Sequence, residues 1–465
     1  MTSSMSLPPQ PLSPLDGRYR PVVQELGEFL SEAGLNRARV HVEVDWLLYL
    51  TDHSMFGSSP LDPELSRRLR AVVQDFGQAD IDEIAGLEAT TRHDVKAVEY
   101  YVRKKLDGLG LTAIAELTHF GATSEDINNL SYALTIRSAV TDVWLPAFTA
   151  VIEELRRQAV EYRDEPMLAL THGQPATPTT MGKEFAVTVH RLERVKAQIE
   201  GTEYLGKWSG ATGTFAADLA ADGDADWQGI ANGFVSSLGL TWNPLTTQIE
   251  SHDWQAELYN RISHANRILH NLCTDVWTYI SMGYFTQIPV AGATGSSTMP
   301  HKINPIRFEN AEANLELSSA LLDSLAATLV TSRLQRDLTD STTQRNIGVG
   351  LGHSLLALDN IRGGLGSIAL NREVLAHDLD TNWEVLGEAI QTVVRAEITA
   401  GRSSVTDPYA LLKDLTRGRR IGQAELVEFV QGLDIGDEAK ARLVALTPAG
   451  YTGLAGVLVD HIARG

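Results

Sequence analysis

The sequence contains a single cysteine, Cys273, so it lacks the paired thiols of an internal disulfide, a CxxC redox motif or a cysteine-based zinc site. It also lacks any run of about 18 apolar residues, the length that a membrane-spanning helix needs. Its first residues show neither the basic start nor the apolar stretch of a secretory signal peptide. We therefore predict a cytoplasmic protein in which Cys273 is a small core residue.

Positive charge is also scarce. The chain has 39 Lys and Arg residues against 59 Asp and Glu residues, which gives a formal net charge of −20. The field of such a protein repels phosphate backbones, so nucleic acid is not an expected partner. It repels small anions as well, and an anion-binding site therefore requires a local cluster of Arg, Lys and helix N-termini.

Alternating β patterns are rare, and helical periodicity dominates instead. Apolar residues recur at spacings of three and four over 145–162, 185–199 and 258–280, which predicts long helices suited to a bundle. Over 315–334 apolar residues occur on nearly every side, which predicts a helix surrounded by its own subunit or by a partner. The predicted fold class is all-α, with an N-terminal helical domain at 1–112, a central long-helix bundle that forms the oligomerisation core at 113–365, and a C-terminal helical domain at 366–465.

Three polar segments interrupted by Gly or Pro make poor helix and poor strand, which marks them as candidate functional loops. They are GATSEDINN at 121–129, THGQPATPTTMGKE at 171–184 and GATGSSTMPHKINP at 292–305. Each lies beside a long predicted helix, so packing of the bundle can bring all three to one cleft. Taken singly, each also has an ordinary structural explanation: a helix N-cap, a hydrogen-bonded and partly buried histidine, and a flexible surface loop.

Two charged stretches complete the set of candidates. One is the tripeptide from Arg92 to Asp94, and the other is the segment 333–345, which carries three arginines. Both are compatible with a solvated helix face that forms internal ion pairs. The run from Ser341 to Thr343 makes a poor helix interior, which favours a binding loop there.

Together these segments resemble the fumarase/aspartase superfamily, whose flexible GSSxMPxKxNP loop is present as GSSTMPHKINP at 295–305. At the position of its histidine, His301, the loop resembles the adenylosuccinate lyase and cycloisomerase branches of the superfamily. Some members of the family carry Asn at the position of Arg92, so the exact contact that Arg92 makes stays open. Motifs similar to the adenylosuccinate lyase family follow in the family's order: LDGRY at 15–19, RHDVKAVEY at 92–100, TSEDINNL at 123–130, THGQPATPTTMGKE at 171–184, TTQIESHD at 246–253 and QRDLTDSTTQRNIG at 335–348.

The resemblance implies a β-elimination that needs neither metal nor cofactor and releases fumarate from a succinyl group. It implies that Ser296 is the base, that Lys302 helps to stabilise its alkoxide, and that His172 is the acid. The implied substrate-binding residues are Thr123, Ser124, Lys302 and Asn304 for carboxylates, Arg18, Tyr19, Arg336, Ser341 and Arg345 for phosphate, His93 and Asp94 for the leaving group, and Arg92, Gln248, Ser297, Asn310, Thr342, Thr343 and Gln344 for further polar contacts.

The implied substrates are two nucleotides, adenylosuccinate and succinyl-aminoimidazole-carboxamide ribonucleotide. The implied partner is the chain itself, in a homotetramer whose sites are shared between subunits, with neither nucleic acid nor membrane involved. Alternatives remain open: another fumarate-releasing lyase or cycloisomerase of the superfamily, an inactive structural homologue, or a helical partner-binding scaffold. The presence of Ser296, His172 and Lys302 argues against an inactive copy.

Overall fold

The computed structural model describes residues 10–289, 299, 302–416 and 421–463, and these ranges are predominantly helical, as the sequence predicts. The helices are α1 (Arg20–Leu30), α2 (Glu32–Asp52), α3 (Pro63–Gln74), α4 (Gln78–Thr91), α5 (Asp94–Gly108), α6 (Ser124–Ser138), α7 (Leu145–Glu161), α8 (Met181–Glu200), α9 (Ala216–Ala221), α10 (Trp227–Ser237), α11 (Asp253–Ser281), α12 (Ile306–Leu329), α13 (Thr339–Gln344), α14 (Ile347–Leu365), α15 (Arg372–Asp380), α16 (Gly387–Thr399), α17 (Pro408–Thr416), α18 (Gln423–Gln431), α19 (Asp437–Val444), α20 (Ala455–Leu458) and α21 (Asp460–Ala463).

Short elements fill the connections. A π-helical segment, Ala139–Trp144, joins α6 to α7. The strands pair two by two: β1 (Pro166–Met167) with β4 (Thr179–Thr180), β2 (Leu170–Thr171) with β3 (Gln174–Pro175), and β7 (Phe285–Gln287) with β8 (Ile368–Leu370), all antiparallel, and β5 (Leu205–Gly206) with β6 (Thr241–Trp242), parallel.

The chain divides into two compact units. Unit 1 comprises Met1–Phe148, Val195–Leu269 and Ala313–Asp359. Unit 2 comprises Thr149–Arg194, His270–Glu312 and Asn360–Gly465. The division into three domains at 1–112, 113–365 and 366–465 stays a prediction.

In unit 1, helix α2 packs against α6 and is buried over most of its length. The side chain of Ser31 caps α2 by accepting a hydrogen bond from the Gly34 N–H at 3.1 Å. The Trp46 ring lies 4.4 Å from the ring of Trp208 and 4.9 Å from that of Phe234, centroid to centroid, which ties α2 to the neighbouring loop and to α10. This core fixes the helix on which several charged side chains of the site are carried.

In unit 2, one core cluster forms between the helices that follow residue 380. Its buried side chains include Ile390 on α16, Val430 on α18 and Leu443 on α19. Cys273 on α11 is also buried, and burial raises the pKa of its thiol. This confirms its prediction as a core residue.

The long helices predicted from periodicity are present as α7, α8 and α11. The helix expected to reach residue 334 instead ends at Leu329, so that part of the prediction is wrong. Beyond it, the Arg333 N–H donates to Asp337 Oδ2 at 3.1 Å and the Asp337 N–H donates to Ser332 Oγ at 3.2 Å. These side-chain acceptors replace the helical carbonyls, which ends the helix.

No single helix within the described residues is long and apolar enough to cross a bilayer; by length and composition alone, one bent pair there, Asp437–Val444 with Pro448–Ile462, meets the criterion.

Candidate active site

His93 and Ser124 lie at two neighbouring helix N-termini in unit 1. His93 is the N-cap of α5, and its Nδ1 accepts the Lys96 N–H at 3.2 Å. A neutral ring with Nδ1 as acceptor carries its proton on Nε2, and this atom lies 3.5 Å from Ser124 Oγ. Arg92 closes α4 just before it, in the left-handed region at φ 53°, and its side chain is exposed. The motif thus presents an imidazole N–H beside a hydroxyl.

Thr123 and Ser124 begin α6, as the N-cap pattern predicts. The Thr123 N–H donates to Asp126 Oδ2 at 2.8 Å, which leaves the following N–H groups of the first turn directed out of the helix end. The helix has 15 residues, so its partial positive charge is well developed at this end. The α6 N-terminus therefore suits a carboxylate of a ligand.

A buried ion pair anchors that helix end. Asp126 and Lys207 are both fully buried, with Lys207 Nζ 2.9 Å from Asp126 Oδ1. Asp126 also accepts the Ser209 N–H at 2.9 Å and the Gly210 N–H at 3.2 Å. The turn at 206–215 is thereby bound to the start of α6, and its glycines pack closely.

A second carboxyl group, that of Asp218 on α9, lies beside this ion pair and is 2% exposed. Burial, together with the negative charge of Asp126, raises the pKa of Asp218 to about 6. Its Oδ1 has no hydrogen-bond partner among the described residues. The start of α6 is therefore held by a group of charges whose balance depends on pH.

Asp94 joins two arginines. Its Oδ2 accepts from Arg39 at 2.7 Å and from Arg345 at 3.2 Å. Burial raises the pKa of Asp94, but the charge of Arg39 and the hydrogen bond from the Val95 N–H, with the charge of Arg345, outweigh it and lower the pKa below its ordinary value. Arg345 also donates to Glu32 Oε1 at 2.9 Å. Asp94 is therefore an ionised anchor for two cations.

Arg336, a second arginine predicted to bind phosphate, is linked to Arg39 by hydrogen bonds. Arg336 donates to Glu125 Oε1 at 2.9 Å, and this oxygen also accepts from Asn128 Nδ2 at 2.8 Å. Asn128 Oδ1 in turn accepts from Arg39 Nε at 2.9 Å. One continuous hydrogen-bond network therefore connects the 92–94, 123–130 and 335–348 motifs. The residues in its middle, Arg39, Glu125 and Asn128, are absent from the set predicted from the sequence.

The Ser/Thr run of the 335–348 motif, from Ser341 to Thr343, does not form a loop, which corrects the prediction made from the sequence. It forms the short helix α13, in which Thr343 Oγ1 donates to the Thr339 carbonyl at 2.7 Å. This back-bond satisfies a hydroxyl that otherwise competes with helical hydrogen bonds. Arg345 NH1 donates to the Ser341 carbonyl at 2.9 Å and to its Oγ at 3.1 Å. The helix therefore places Ser341 against the Arg345 guanidinium.

The other residues of this stretch differ in exposure. Gln344 is buried, and its Nε2 lies 3.4 Å from Nε2 of His252, a buried residue of the TTQIESHD motif. Thr342 of this stretch is exposed. Gln248, which belongs to the TTQIESHD motif, is half-buried.

A cavity of about 760 Å³ opens within unit 1 between α1, α2 and the start of α14. Arg20, Glu32, Gln344 and Arg345 are among the residues that line it. This volume lies within the range of small-molecule sites, about 300–1,000 Å³. The cavity therefore has room for a ligand next to Arg345.

The predicted phosphate residues of the LDGRY motif precede α1. Arg18 is exposed, and its Cζ lies 5.7 Å from the centroid of the Tyr19 ring, which is half-buried.

His172 belongs to unit 2 and occupies the tip of the β2–β3 hairpin. It and Gly173 have φ values of 54° and 70°, the left-handed pair that a two-residue type I′ turn requires. The side chain is exposed on the chain, so the partial burial expected from the sequence is not observed. The hairpin instead presents the imidazole outward on a backbone with little freedom.

The signature loop lies largely outside the described residues, and this includes Ser296 and Ser297. At its C-terminal end the Lys302 N–H donates to the Met299 carbonyl at 3.0 Å, and the Lys302 side chain is exposed. Gln287 Nε2 donates to the Ile303 carbonyl at 2.6 Å. Asn304 and Asn310 are half-buried, the latter on the first turns of α12.

Comparison with known proteins places these features in a family context. Residues 332–452 match the family model described as "Adenylosuccinate lyase C-terminal", and residues 54–316 match the model described as "Lyase". The chain is 47% identical over 453 residues to an adenylosuccinate lyase from Escherichia coli (strain K12), with 97% of this chain and 98% of that protein covered. It is 46% identical over 454 residues to an adenylosuccinate lyase from Haemophilus influenzae, with the same coverage.

Solved structures share the fold at lower identity. A fumarate lyase from Mesorhizobium sp. BNC1 superposes with a TM-score of 0.73 at 18% identity, covering 95% of this chain and 98% of that one. The 3-carboxy-cis,cis-muconate lactonizing enzyme from Pseudomonas putida gives a TM-score of 0.72 at 20% identity, with coverages of 94% and 96%. These likenesses show the fold, and the family follows from the closer sequence matches.

Proposed function

The chain belongs to the adenylosuccinate lyase family, and from this premise we propose that it releases fumarate from adenylosuccinate, giving AMP, and from succinyl-aminoimidazole-carboxamide ribonucleotide, giving the aminoimidazole carboxamide ribonucleotide. The enzyme class is carbon–nitrogen lyase. The observation that carries the proposal is 47% identity along 97% of the chain.

The reaction is a β-elimination with two proton transfers. Ser296, as an alkoxide, removes the proton from the succinyl carbon next to a carboxylate, and the electron pair forms the new C=C bond as the C–N bond breaks. His172 protonates the leaving nitrogen, so that fumarate and the amine depart. The β2–β3 hairpin holds the His172 backbone in a type I′ turn, which supports this assignment, because a general acid has to be held in a fixed orientation.

Negative charge develops on the carboxylate during proton removal, so fixed positive groups have to face it. We assign this role to Lys302, Asn304 and the α6 N-terminus with Thr123 and Ser124. The four acceptor contacts of Asp126 support the assignment, because they hold that helix end in place before a ligand binds.

The leaving group and the phosphate are assigned to the hydrogen-bond network of unit 1. His93 Nε2 is the ring nitrogen that remains for a ligand, since Nδ1 accepts the Lys96 N–H. Arg345 and Ser341 form a ready pair of donors for phosphate beside the cavity, and Arg336, Arg18 and Tyr19 complete this set. Arg92, Gln248, Ser297, Asn310, Thr342, Thr343 and Gln344 are the remaining proposed substrate contacts.

We propose a homotetramer with sites shared between subunits. Leu317 on α12 is 52% exposed on the chain, and a partner subunit would cover this apolar side chain. An exposed His172 also fits a site that is completed by other subunits. We further propose a cytoplasmic location, where a free thiol such as Cys273 stays reduced.

The test is a direct assay in a buffer that contains a chelator. Purified protein is mixed with adenylosuccinate while the ultraviolet absorbance and the release of fumarate are followed, and argininosuccinate serves as the control substrate. Ser296→Ala and His172→Ala should each lower kcat by about 10²- to 10⁴-fold, the range for a lost proton-transfer group. The matched control is His190→Ala, at another exposed histidine of unit 2, which should keep its activity.

Fumarate and AMP formed by the wild type and the control, but not by the two folded variants, support the proposal. A folded wild-type oligomer that is inactive on both nucleotides contradicts the substrate assignment.

A further inference from the structure

Arg39 is an almost fully buried arginine on α2, with 2% of its surface exposed. A buried guanidinium is tolerated only when its charge and its N–H groups are matched. Each of its three nitrogens has a side-chain acceptor: Nε donates to Asn128 Oδ1 at 2.9 Å, NH1 to Asn36 Oδ1 at 2.9 Å and NH2 to Asp94 Oδ2 at 2.7 Å. Such a fork fixes the positions of all three partners.

The carboxylate of Asp94 is shared unequally between two cations. Arg39 contacts Oδ2 at 2.7 Å from a buried position, whereas Arg345 contacts the same oxygen at 3.2 Å from an exposed one. The closer and better shielded partner has the stronger interaction. Arg39 therefore takes up most of the negative charge of Asp94, which leaves the exposed Glu32, at 2.9 Å, as the closer carboxylate partner of Arg345.

Arg39 reaches the second arginine through Asn128. Because Asn128 Oδ1 accepts from Arg39, its amide nitrogen is turned toward Glu125 Oε1, at 2.8 Å. That oxygen is also the acceptor for Arg336 NH2, at 2.9 Å. The acceptor available to Arg336 is therefore already partly occupied by a donor that Arg39 keeps in place.

We propose that Arg39 is a positioning residue for the phosphate end of the substrate site: it holds Asp94 directly and Glu125 through Asn128, and thereby leaves Arg345 and Arg336 aimed at a phosphate. The inference rests on the proposed function, in which these two arginines bind the phosphate of the nucleotide. Because Arg39 is buried, its proposed effect on the phosphate passes through these partners.

Removing the guanidinium should strengthen the existing pairing of Asp94 with Arg345 and of Glu125 with Arg336. Without Arg39, Asp94 and Glu125 have Arg345 and Arg336 as their nearest cations, and tighter pairing withdraws both arginines from a ligand. Binding of a phosphorylated substrate should weaken, while binding of its nucleoside should change little. The effect should lie mainly in KM, because phosphate contacts are made in ground state and transition state alike.

The test compares adenylosuccinate with its dephosphorylated form, succinyladenosine, by kcat/KM or, where turnover is slow, by Ki. Arg39→Met removes the charge, and Arg39→Lys keeps it but loses the three-pronged fork. The matched control is Arg137→Met, a partly buried arginine of unit 1 whose guanidinium donates to the Leu238 and Gly239 carbonyls. Circular dichroism and oligomer size establish that each variant is folded, and Arg39→Lys serves if Arg39→Met is not.

The expected result is that the preference for adenylosuccinate over succinyladenosine falls about tenfold or more in both Arg39 variants and is unchanged in the control. An unchanged preference in a folded Arg39 variant, or an equal loss on both substrates, overturns the inference while the proposed function stands. A wild-type protein inactive on adenylosuccinate overturns the proposed function and the inference with it.

Discussion

The Asp218 carboxyl group should make the protein less stable at neutral pH than it is without that charge. In the folded chain the group is buried beside Asp126, and both effects raise its pKa from 3.8 to about 6. A group whose folded pKa exceeds its unfolded pKa favours folding at low pH, and this contribution is lost as the pH rises through the folded value. The variant Asp218→Asn has no charge to bury and should therefore be more stable than the wild type at pH 7.5.

The size of the effect follows from the pKa difference. From 3.8 to about 6, at 1.36 kcal/mol per pKa unit, the upper limit is about 3 kcal/mol. Relaxation of the structure and water penetration around a buried carboxylate reduce the expected gain to about 1–2 kcal/mol. The gain should shrink below about pH 6 and vanish only below about pH 3, where the carboxyl group is protonated in both states.

Urea unfolding at pH 4.5 and pH 7.5, followed by fluorescence and circular dichroism, measures this difference, with coincident transitions as the condition for comparing free energies. Asp224→Asn, at an exposed acid nearby in the sequence, removes the same charge without burial and is the control. An Asp218→Asn variant that is less stable than the wild type at pH 7.5, or equally stabilised at both pH values, would refute the reasoning.

Two further predictions concern buried charges of unit 1. Lys207→Met leaves Asp126 without its cation and should lower the free energy of unfolding by about 3–5 kcal/mol in urea titrations. The double variant with Asp126→Asn should recover part of this loss. Full additivity of the two changes would contradict the pairing. Burial lowers the pKa of His119, but the hydrogen bond and the charge of Glu43 raise it by a larger amount. The pKa of His119 is therefore above its ordinary value. The stabilising contribution of His119 is complete below the ordinary pKa of 6.5 and is lost as the pH rises through the higher folded pKa. The variant His119→Gln should therefore flatten the fall in stability measured between pH 6 and pH 9. An equally steep fall in the variant would argue against this role of His119.

The long helices were predictable because their signal is repeated along the chain. In α7 the side chains of Phe148, Ile152 and Leu155 are all buried, and each lies three or four residues from the next. The end of α12 was not predictable, because side chains that accept from nearby N–H groups decide it and leave the apolar pattern unchanged. The same local bonding turned the run beginning at Ser341 into helix α13, although its composition indicates a loop.

The candidate site divides in the same way. The start of α6 at Ser124 was predictable, since capping depends on residues three positions apart. Arg39 was not, because Asp94 lies 55 positions away in sequence and only folding brings the two together. The stretch around Arg39, RARVHVEVD at 37–45, alternates charged and apolar residues, so no local sign distinguishes Arg39 from the other charged residues there. The roles of Ser296 and Ser297, which lie outside the described residues, stay predictions.

The single thiol of the chain makes one long helix observable without engineering. Cys273 is buried on α11, and its raised pKa keeps it in the unreactive protonated form. A charged thiol reagent can reach it only when the surrounding structure opens, so the rate of labelling reports the frequency of that opening. Since no second cysteine competes, the mass added to each chain shows whether it has opened, and the intact protein reports its own local unfolding in any buffer or with any ligand.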